Sequence, residues 1–445
     1  MTSDNKKLDA AQNILEHLGK KLDANISVRL WDGRMIPLGS DVQPGYFLSI
    51  NNPDSFTSIL RKPTMETILL NYASRDIDFH GGDIYEFAEV AREKHSKIKF
   101  KSLDKALLVK NILPLLFSSS KTPSVENIYD EDETGRKVAR KNKDFIKFHY
   151  DVSNEFYSLF LDKEMLYSCG YFTDWNNSLD QAQFDKLDMI CKKLQLKKGD
   201  RFLDIGCGWG ALICHAAKYY GAQAHGVTLS ENQFQYAQEK IKKLGLSDLV
   251  KVELKDYAEL EGEYDKISSI GMYEHVGIAN YPFYFNKVKS LLRDRGIFLN
   301  HGIVRRAKSS AKKFKKIKPT RRMILKYIFP GSELDHIGHS TQALELSGFE
   351  VHDIETWREH YGLTTKHWCK RLIQNKEEAI RIVGEERYRM WIAYLVGVSL
   401  GFKDGTMRIY QTVSTKYQSK GLSGMPLTRE HLYQESEATK KVANN

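Results

Sequence analysis

The chain has 445 residues, 41% of them hydrophobic and 28% charged, with a formal net charge of +10. That length exceeds one ordinary domain and suffices for two or three, each with its own core. The N-terminus MTSDNKKLDA lacks the apolar core of a signal peptide, and the longest apolar stretch, Trp391 to Phe402, is too short to cross a bilayer, so a cytoplasmic protein is expected.

In chain order, Ile26 to Leu38 reads ISVRLWDGRMIPL, two short alternating runs about Asp32-Gly33, which suits a type I′ turn and predicts a hairpin. Helical patterns follow over Thr64–Tyr72 and Asp83–Lys94. Ser118 to Lys143 is polar, acidic and poor in aliphatics, and reads as a linker. The expected division is an N-terminal domain over 1–117, a linker over 118–143, a larger domain over 144–420 and a polar tail over 421–445. From about Lys197 short apolar strands alternate with helices. Strands are predicted at Arg201–Gly206, Ala222–Leu229, Val250–Lys255, Tyr264–Met272 and Gly296–Ile303, and helices at Gly210–Tyr220, Glu231–Leu244 and Tyr281–Arg293. This alternation predicts an α/β domain, a parallel sheet with helices on both faces, whose ligands bind beyond the carboxyl ends of the strands.

The segment LDIGCGWG, Leu203 to Gly210, ends the first of these strands and opens the first helix. Glycines at 206, 208 and 210 allow a tight turn and close approach of a ligand to bare backbone. The spacing GxGxG is narrower than the GxGxxG that wraps a pyrophosphate, and Asp204 stands two residues before the first glycine. An acidic strand end attracts an amino group, and a ligand without pyrophosphate needs no wider loop, so the motif points to S-adenosylmethionine. At the end of the second strand Thr228 stands where a dinucleotide enzyme places Asp or Glu for the ribose, which speaks against NAD. Ser230 reads as a helix N-cap; Gln233 reads either as its capping-box partner or as a ligand contact.

Five cysteines, Cys169, Cys191, Cys207, Cys214 and Cys369, are scattered and free of CxxC spacing, so reduced thiols and no structural metal are expected. The charge excess is local. Arg305 to Lys326 holds eleven basic residues and no acidic one; without them 56 basic residues face 57 acidic ones. Such a run is either a solvated surface or a footprint for a polyanion, phospholipid headgroups or nucleic acid. Within it only Phe314 is aromatic, too little for base stacking, and Met323 to Phe329 supplies an apolar patch, so an anionic membrane surface fits better and no nucleic-acid partner is expected. The same apolar patch reads equally well as core. The run Tyr281, Phe283, Tyr284, Phe285 has helical spacing and reads as core before channel lining.

With these motifs in view the chain resembles the cyclopropane-fatty-acyl-phospholipid synthases and the related mycolic acid cyclopropane synthases. The segments that carry the resemblance are FHYDVSNEFYSLFLDKEMLYSCGYF (148–172), LDIGCGWG, GVTLSENQ, SIGMYEHVG (269–277), FLNHGI (298–303), KYIFPG (326–331) and REHYGLTTKHW (358–368), spanning roughly residues 145 to 400; in the N-terminal part mainly GGDIYEF matches. The resemblance implies a class I S-adenosylmethionine-dependent methyltransferase fold, Rossmann-like, with a smaller α+β N-terminal domain that binds lipid. It implies that Tyr167, Ser168, Gly206 and Gly208 surround the methionine part of S-adenosylmethionine, and that Thr228, Leu229 and Gln233 lie near ribose and adenine. Members often carry Trp-Glu after the third strand, where this chain has Asp256-Tyr257-Ala258; Tyr257 can stack on adenine and the polar contact shifts to Asp256.

The implied reaction adds a methylene from S-adenosylmethionine across the double bond of an unsaturated acyl chain of a membrane phospholipid. The resemblance implies bicarbonate as the base, held by Cys169, Glu274, His301, the Ile303 backbone and Tyr361. Each has a plainer reading: Cys169 as a small buried hydrophobe, Glu274 as part of a surface pair with His275, His301 as a satisfied core histidine, Tyr361 as part of an aromatic cluster. The resemblance also implies a homodimer, peripheral on the inner face of the membrane. Two alternatives stand beside it: a lipid C-methyltransferase leaving a methyl or methylene branch, and a nucleic-acid-binding methyltransferase.

Overall fold

A computed structural model describes residues 3–93, 104–116, 153–316, 325 and 331–435. The linker expected at 118–143 and most of the patch Met323 to Phe329 lie outside the described residues. The chain divides into two compact units.

The smaller unit holds a four-stranded sheet of β1 (Ser27–Arg29), β2 (Met35–Pro37), β3 (Phe47–Ile50) and β4 (Ile77–His80), in the order β2-β1-β3-β4. β1 and β2 are the expected hairpin, antiparallel, with Gly33 at φ +94° in its turn. Helices Pro53–Arg61 and Met65–Ala73 begin where Asn52 and Thr64 accept hydrogen bonds from the backbone N–H groups of Ser55 and Thr67. Helix Ser3–Leu22 adds Leu8, Ala11, Ile14 and Leu15 to a core with Val28, Ile36, Phe56, Tyr72, Ile77 and Phe87. This unit also takes in described residues 372–397, a segment expected from the sequence to lie inside the larger domain. From there Arg389 lays its guanidinium 3.8 Å over the Tyr72 ring, donates to the Tyr72 carbonyl at 2.6 Å and pairs with Asp78.

The larger unit is built on seven strands: β5 (Arg201–Ile205), β6 (Gln223–Thr228), β7 (Val250–Leu254), β8 (Tyr264–Ile270), β9 (Leu292–Arg305), β10 (Phe349–Thr356) and β11 (Met407–Lys416). Their order is β10-β11-β9-β8-β5-β6-β7. The five strands read from the sequence are parallel to one another, as expected. The sheet does not stop there: β11 inserts antiparallel between β9 and β10, and neither β10 nor β11 is among the expected strands. The inner strands are apolar on both faces because helices cover both. One face packs Ile190, Leu194, Phe202, Ile213 and Val250, the other Leu203, Ile267, Tyr284, Phe285, Val288 and Phe298. Tyr281, Tyr284 and Phe285 are thus core, while Phe283 is exposed.

Candidate active site

The carboxyl ends of β5, β6 and β8 open onto a cavity of about 830 Å³. The turn after β5 needs its glycines: residues 206, 208 and 210 have φ of +79°, +55° and +82°. At Gly208 an added Cβ would meet nothing within 4 Å among the described residues, because the space beside it belongs to the cavity. Gly210 differs: its Cβ would sit 3.0 Å from that of Ala237, so it packs helix Ala211–Tyr220 against helix Glu231–Lys243 and does not line the cavity. Among the cofactor residues expected from the sequence, Tyr167, Ser168, Asp204, Gly206, Gly208, Thr228, Leu229, Gln233, Asp256 and Tyr257 all do. Ser230 caps helix Glu231–Lys243, but the Gln233 side chain turns toward Thr228, whose hydroxyl donates to it at 2.8 Å.

Asp204 is buried and accepts from the Ser268 hydroxyl at 2.6 Å. Burial pushes its carboxyl up to about 6, against the pull of that hydrogen bond and of the Lys186 ammonium. Lys186 is itself buried, donates to the Ser168 hydroxyl at 2.8 Å, and is brought down to about 8 by burial despite Asp162, Cys169 and Asp204. The cavity therefore has bare backbone on one wall and a buried acid and base pair at its floor. Its volume falls in the range that small-molecule ligands occupy.

The residues expected to hold a base lie just beyond this cavity's lining. Glu274, buried, accepts from the Ile303 backbone N–H at 2.5 Å through Oε1; Oε2 has no partner among the described residues. Burial raises its carboxyl to about 7. His301, also buried, faces Gln411 through Nδ1 at 2.9 Å, and its Nε2 has no partner among the described residues. The Cys169 thiol points to the Trp357 carbonyl at 3.7 Å, and burial holds it protonated, well above the usual thiol value. The same carbonyl receives the Tyr361 backbone N–H at 3.0 Å, and the Trp357 ring stands edge-on to His301 at 5.4 Å. Tyr361 packs on Phe402 and Trp368. Cys169 and His301 thus both lie against Trp357, Tyr361 reaches Trp357 through its backbone alone, and Glu274 is tied to β9 two residues beyond His301. Glu274 is no surface residue, and it and His301 each leave one buried polar atom without a partner among the described residues, an arrangement that costs about 1–3 kcal/mol per group unless a ligand or a water completes it.

Residues 137–412 match the family model for mycolic acid cyclopropane synthetase. The chain belongs to that family. It is 34% identical over 420 residues to a Pseudomonas putida protein named "Probable fatty acid methyltransferase", covering 93% of this chain and 98% of the other. It is 38% identical over 276 residues to the cyclopropane-fatty-acyl-phospholipid synthase of Escherichia coli, covering 62% of this chain and 69% of that one. Among solved structures, the cyclopropane synthase MmaA2 from Mycobacterium tuberculosis superposes with a TM-score of 0.59 at 30% identity, covering 62% of this chain and 98% of that one. Mycolic acid cyclopropane synthase CmaA1, complexed with SAH and CTAB, gives 0.59 at 31% over 62% of this chain and 98% of its own. The larger unit is accordingly a class I fold, and the protein is an S-adenosylmethionine-dependent methyltransferase.

Within the family site, sequence reasoning misses three buried polar residues: Lys186, Lys193 and Gln411. The two lysines lie on helix Leu179–Lys193 at the same phase as Leu179, Ala182, Gln183 and Ile190, all buried. A lysine at i, i+3, i+4, i+7 spacing among apolar residues is the available signal. His275, expected only as the surface partner of Glu274, is half-buried and lines the cavity with Met272.

Proposed function

We propose that this protein transfers a methylene from S-adenosylmethionine across the double bond of an unsaturated phospholipid acyl chain, closing a cyclopropane ring. The observation that carries the reading is the pair of buried, unpartnered atoms, Glu274 Oε2 and His301 Nε2, which suit a small oxyanion such as bicarbonate with both acceptor and hydroxyl groups. S-adenosylmethionine supplies an electrophilic methyl group and bicarbonate a weak base; binding, orientation and the exclusion of water are the work of the chain's own residues. Gly206 and Gly208 admit the cofactor to bare backbone, and Asp204 attracts its amino group. Glu274, with a carboxyl near neutrality, can share a proton with a hydroxyl of the anion. Cys169, whose thiol burial holds protonated, and Tyr361 add further contacts to it. Trp357, wholly buried, and Phe402 exclude water, which would otherwise trap the cation formed on the acyl chain.

That cation has three fates: proton loss from the new methyl with bond formation to the cationic carbon closes a ring, a hydride shift from the methylated carbon followed by proton loss from the methyl gives a methylene branch, and addition of hydride from a reductant gives a methyl branch. A second reading, a lipid C-methyltransferase ending in one of the branches, is favoured by the name of the P. putida relative that this chain matches along almost its whole length. Incubation with methyl-labelled S-adenosylmethionine and unsaturated phospholipid separates them. Ring closure puts label in upfield cyclopropane proton resonances, whereas vinylic or methyl signals without ring signals would leave only the branching reading. The two products of proton loss have equal mass, so the resonances decide. The reading extends to a homodimer, with the N-terminal unit as lipid-binding accessory, working in the cytoplasm at the inner membrane face. There the exposed Lys308, Lys312, Lys313, Lys315 and Lys316 meet anionic headgroups. Among the described residues no helix is long and apolar enough to cross a membrane.

A further inference from the structure

Which nitrogen of a neutral histidine carries the proton is set by what the other nitrogen faces. For His301 the answer lies in the strands behind it. His301 on β9 is the direct ladder partner of Gln411 on β11, and Gln411 is in turn the partner of Glu355 on β10. The three side chains form one row across three strands. Onto that row the helix Leu179–Lys193 lowers its last residue, the buried Lys193, whose ammonium lies 2.7 Å from Gln411 Oε1, pairs with Glu355 and sits 5.1 Å over the Trp357 ring.

An ammonium has donors and no acceptor, so the Gln411 atom facing Lys193 must be its carbonyl oxygen. The other end of the amide, the NH2 group, then faces His301 Nδ1 at 2.9 Å. An NH2 group also only donates, so Nδ1 must accept and carries no proton. The proton of the neutral ring is on Nε2, the nitrogen without a partner among the described residues. Burial, with the Lys186 and Lys193 charges nearby, holds the ring well below the ordinary histidine value and hence neutral.

We infer that Lys193 and Gln411 are positioning residues that lock His301 as the Nε2–H tautomer, so that it offers a hydrogen-bond donor, not a base, to the anion beside it. The tautomer is set by the row alone; the partner of Nε2–H rests on the proposed oxyanion. A donor at His301 and a carboxylate at Glu274 suit an anion that accepts on one side and donates its hydroxyl on the other. They also leave the anion, and not the histidine, to take the proton.

The test is the long-range proton–nitrogen correlation spectrum of the full-length protein carrying nitrogen-15 histidine, with the His301 signals assigned by their loss in His301→Asn. The expected result is a protonated Nε2 and a bare Nδ1, unchanged across neutral pH. Gln411→Glu conserves volume but presents an acceptor to Nδ1 while keeping the Lys193 contact. It should put a proton on Nδ1 and lower turnover about tenfold, as loss of one properly matched hydrogen bond would, with S-adenosylhomocysteine affinity by calorimetry unchanged. Lys193→Met frees the amide to rotate and should give signals of both tautomers. A protonated Nδ1 in the unaltered protein overturns the inference, as does a bare Nδ1 in Gln411→Glu. If the tautomers behave as expected while turnover is indifferent to bicarbonate, the relay stands and the oxyanion reading falls.

Discussion

Replacing Glu274 by glutamine separates what the residue does for chemistry from what it does to stability. The carboxyl is buried and titrates at about 7, against an ordinary 4.5. Below pH 4.5 it is protonated in folded and unfolded chains alike and makes no difference. As the pH rises through 4.5 the unfolded chain ionises freely while the folded one does not, so the native state is progressively penalised until the folded carboxyl itself ionises near 7. The gap between the two values corresponds to a loss of about 3 kcal/mol, complete by about pH 8. Glutamine keeps an oxygen for the Ile303 N–H and cannot ionise; the cost of its unpartnered NH2 is the same at every pH and drops out of the comparison. Urea unfolding of both proteins in bicarbonate-free buffer should therefore show the stability difference moving by about 3 kcal/mol in favour of Glu274→Gln between acid and mildly alkaline pH. Turnover should meanwhile fall roughly a hundredfold, as expected for a lost proton-transfer contact. Stability curves that stay parallel across pH would refute the burial argument.

Two other outcomes test other parts of the molecule. Gly208→Ala puts a methyl group where no atom of the described residues lies within 4 Å, at a left-handed φ of +55° that costs about 1 kcal/mol; the protein should fold, and calorimetry should show S-adenosylhomocysteine binding weakened at least tenfold, whereas unchanged affinity would move the cofactor away from this turn. Exchanging Lys312, Lys313, Lys315 and Lys316 for glutamine should cut flotation with anionic vesicles severely at low salt, each charge being worth about 1 kcal/mol at such a surface, and undiminished flotation would make them bystanders.

Besides the hairpin β1–β2 and the helices Met65–Ala73 and Ile84–Glu93, the part of the fold that can be read from the sequence is the part built by continuous apolar strands and amphipathic helices, β5 to β9 and the helices between them. β10 and β11 escape for different reasons. β10, FEVHDIET, is half exposed along most of its length, so no run of hydrophobics marks it. β11, MRIYQTVSTK, is buried, but its buried positions include Gln411, Thr412, Ser414 and Thr415, polar groups that the ladder and neighbouring side chains satisfy only in the folded sheet. The site divides in the same way. Residues carried in a contiguous motif, such as Asp204 to Gly208 or Thr228 to Gln233, can be placed on one cavity in advance. Lys193 and Gln411 are 218 positions apart and meet only through tertiary structure, and in a linear reading a lysine at a helix end is a solvated charge. His301 is legible in its motif, but its proton's position is not, because the side chains that decide it sit on elements the sequence does not announce.

The row Glu355–Gln411–His301 also makes a loop length into a chemical quantity. β11 follows helix Glu385–Lys403 after only Asp404, Gly405 and Thr406. One residue added or removed there and absorbed as a shift of the strand by one position would bring Tyr410 or Thr412 opposite His301 and turn Gln411 to the other face. The sheet could still form and the cofactor cavity would be untouched. A chain altered in this way would bind its cofactor and fail to turn over, so this short turn, far from the reacting atoms along the chain, should tolerate substitutions far better than insertions or deletions.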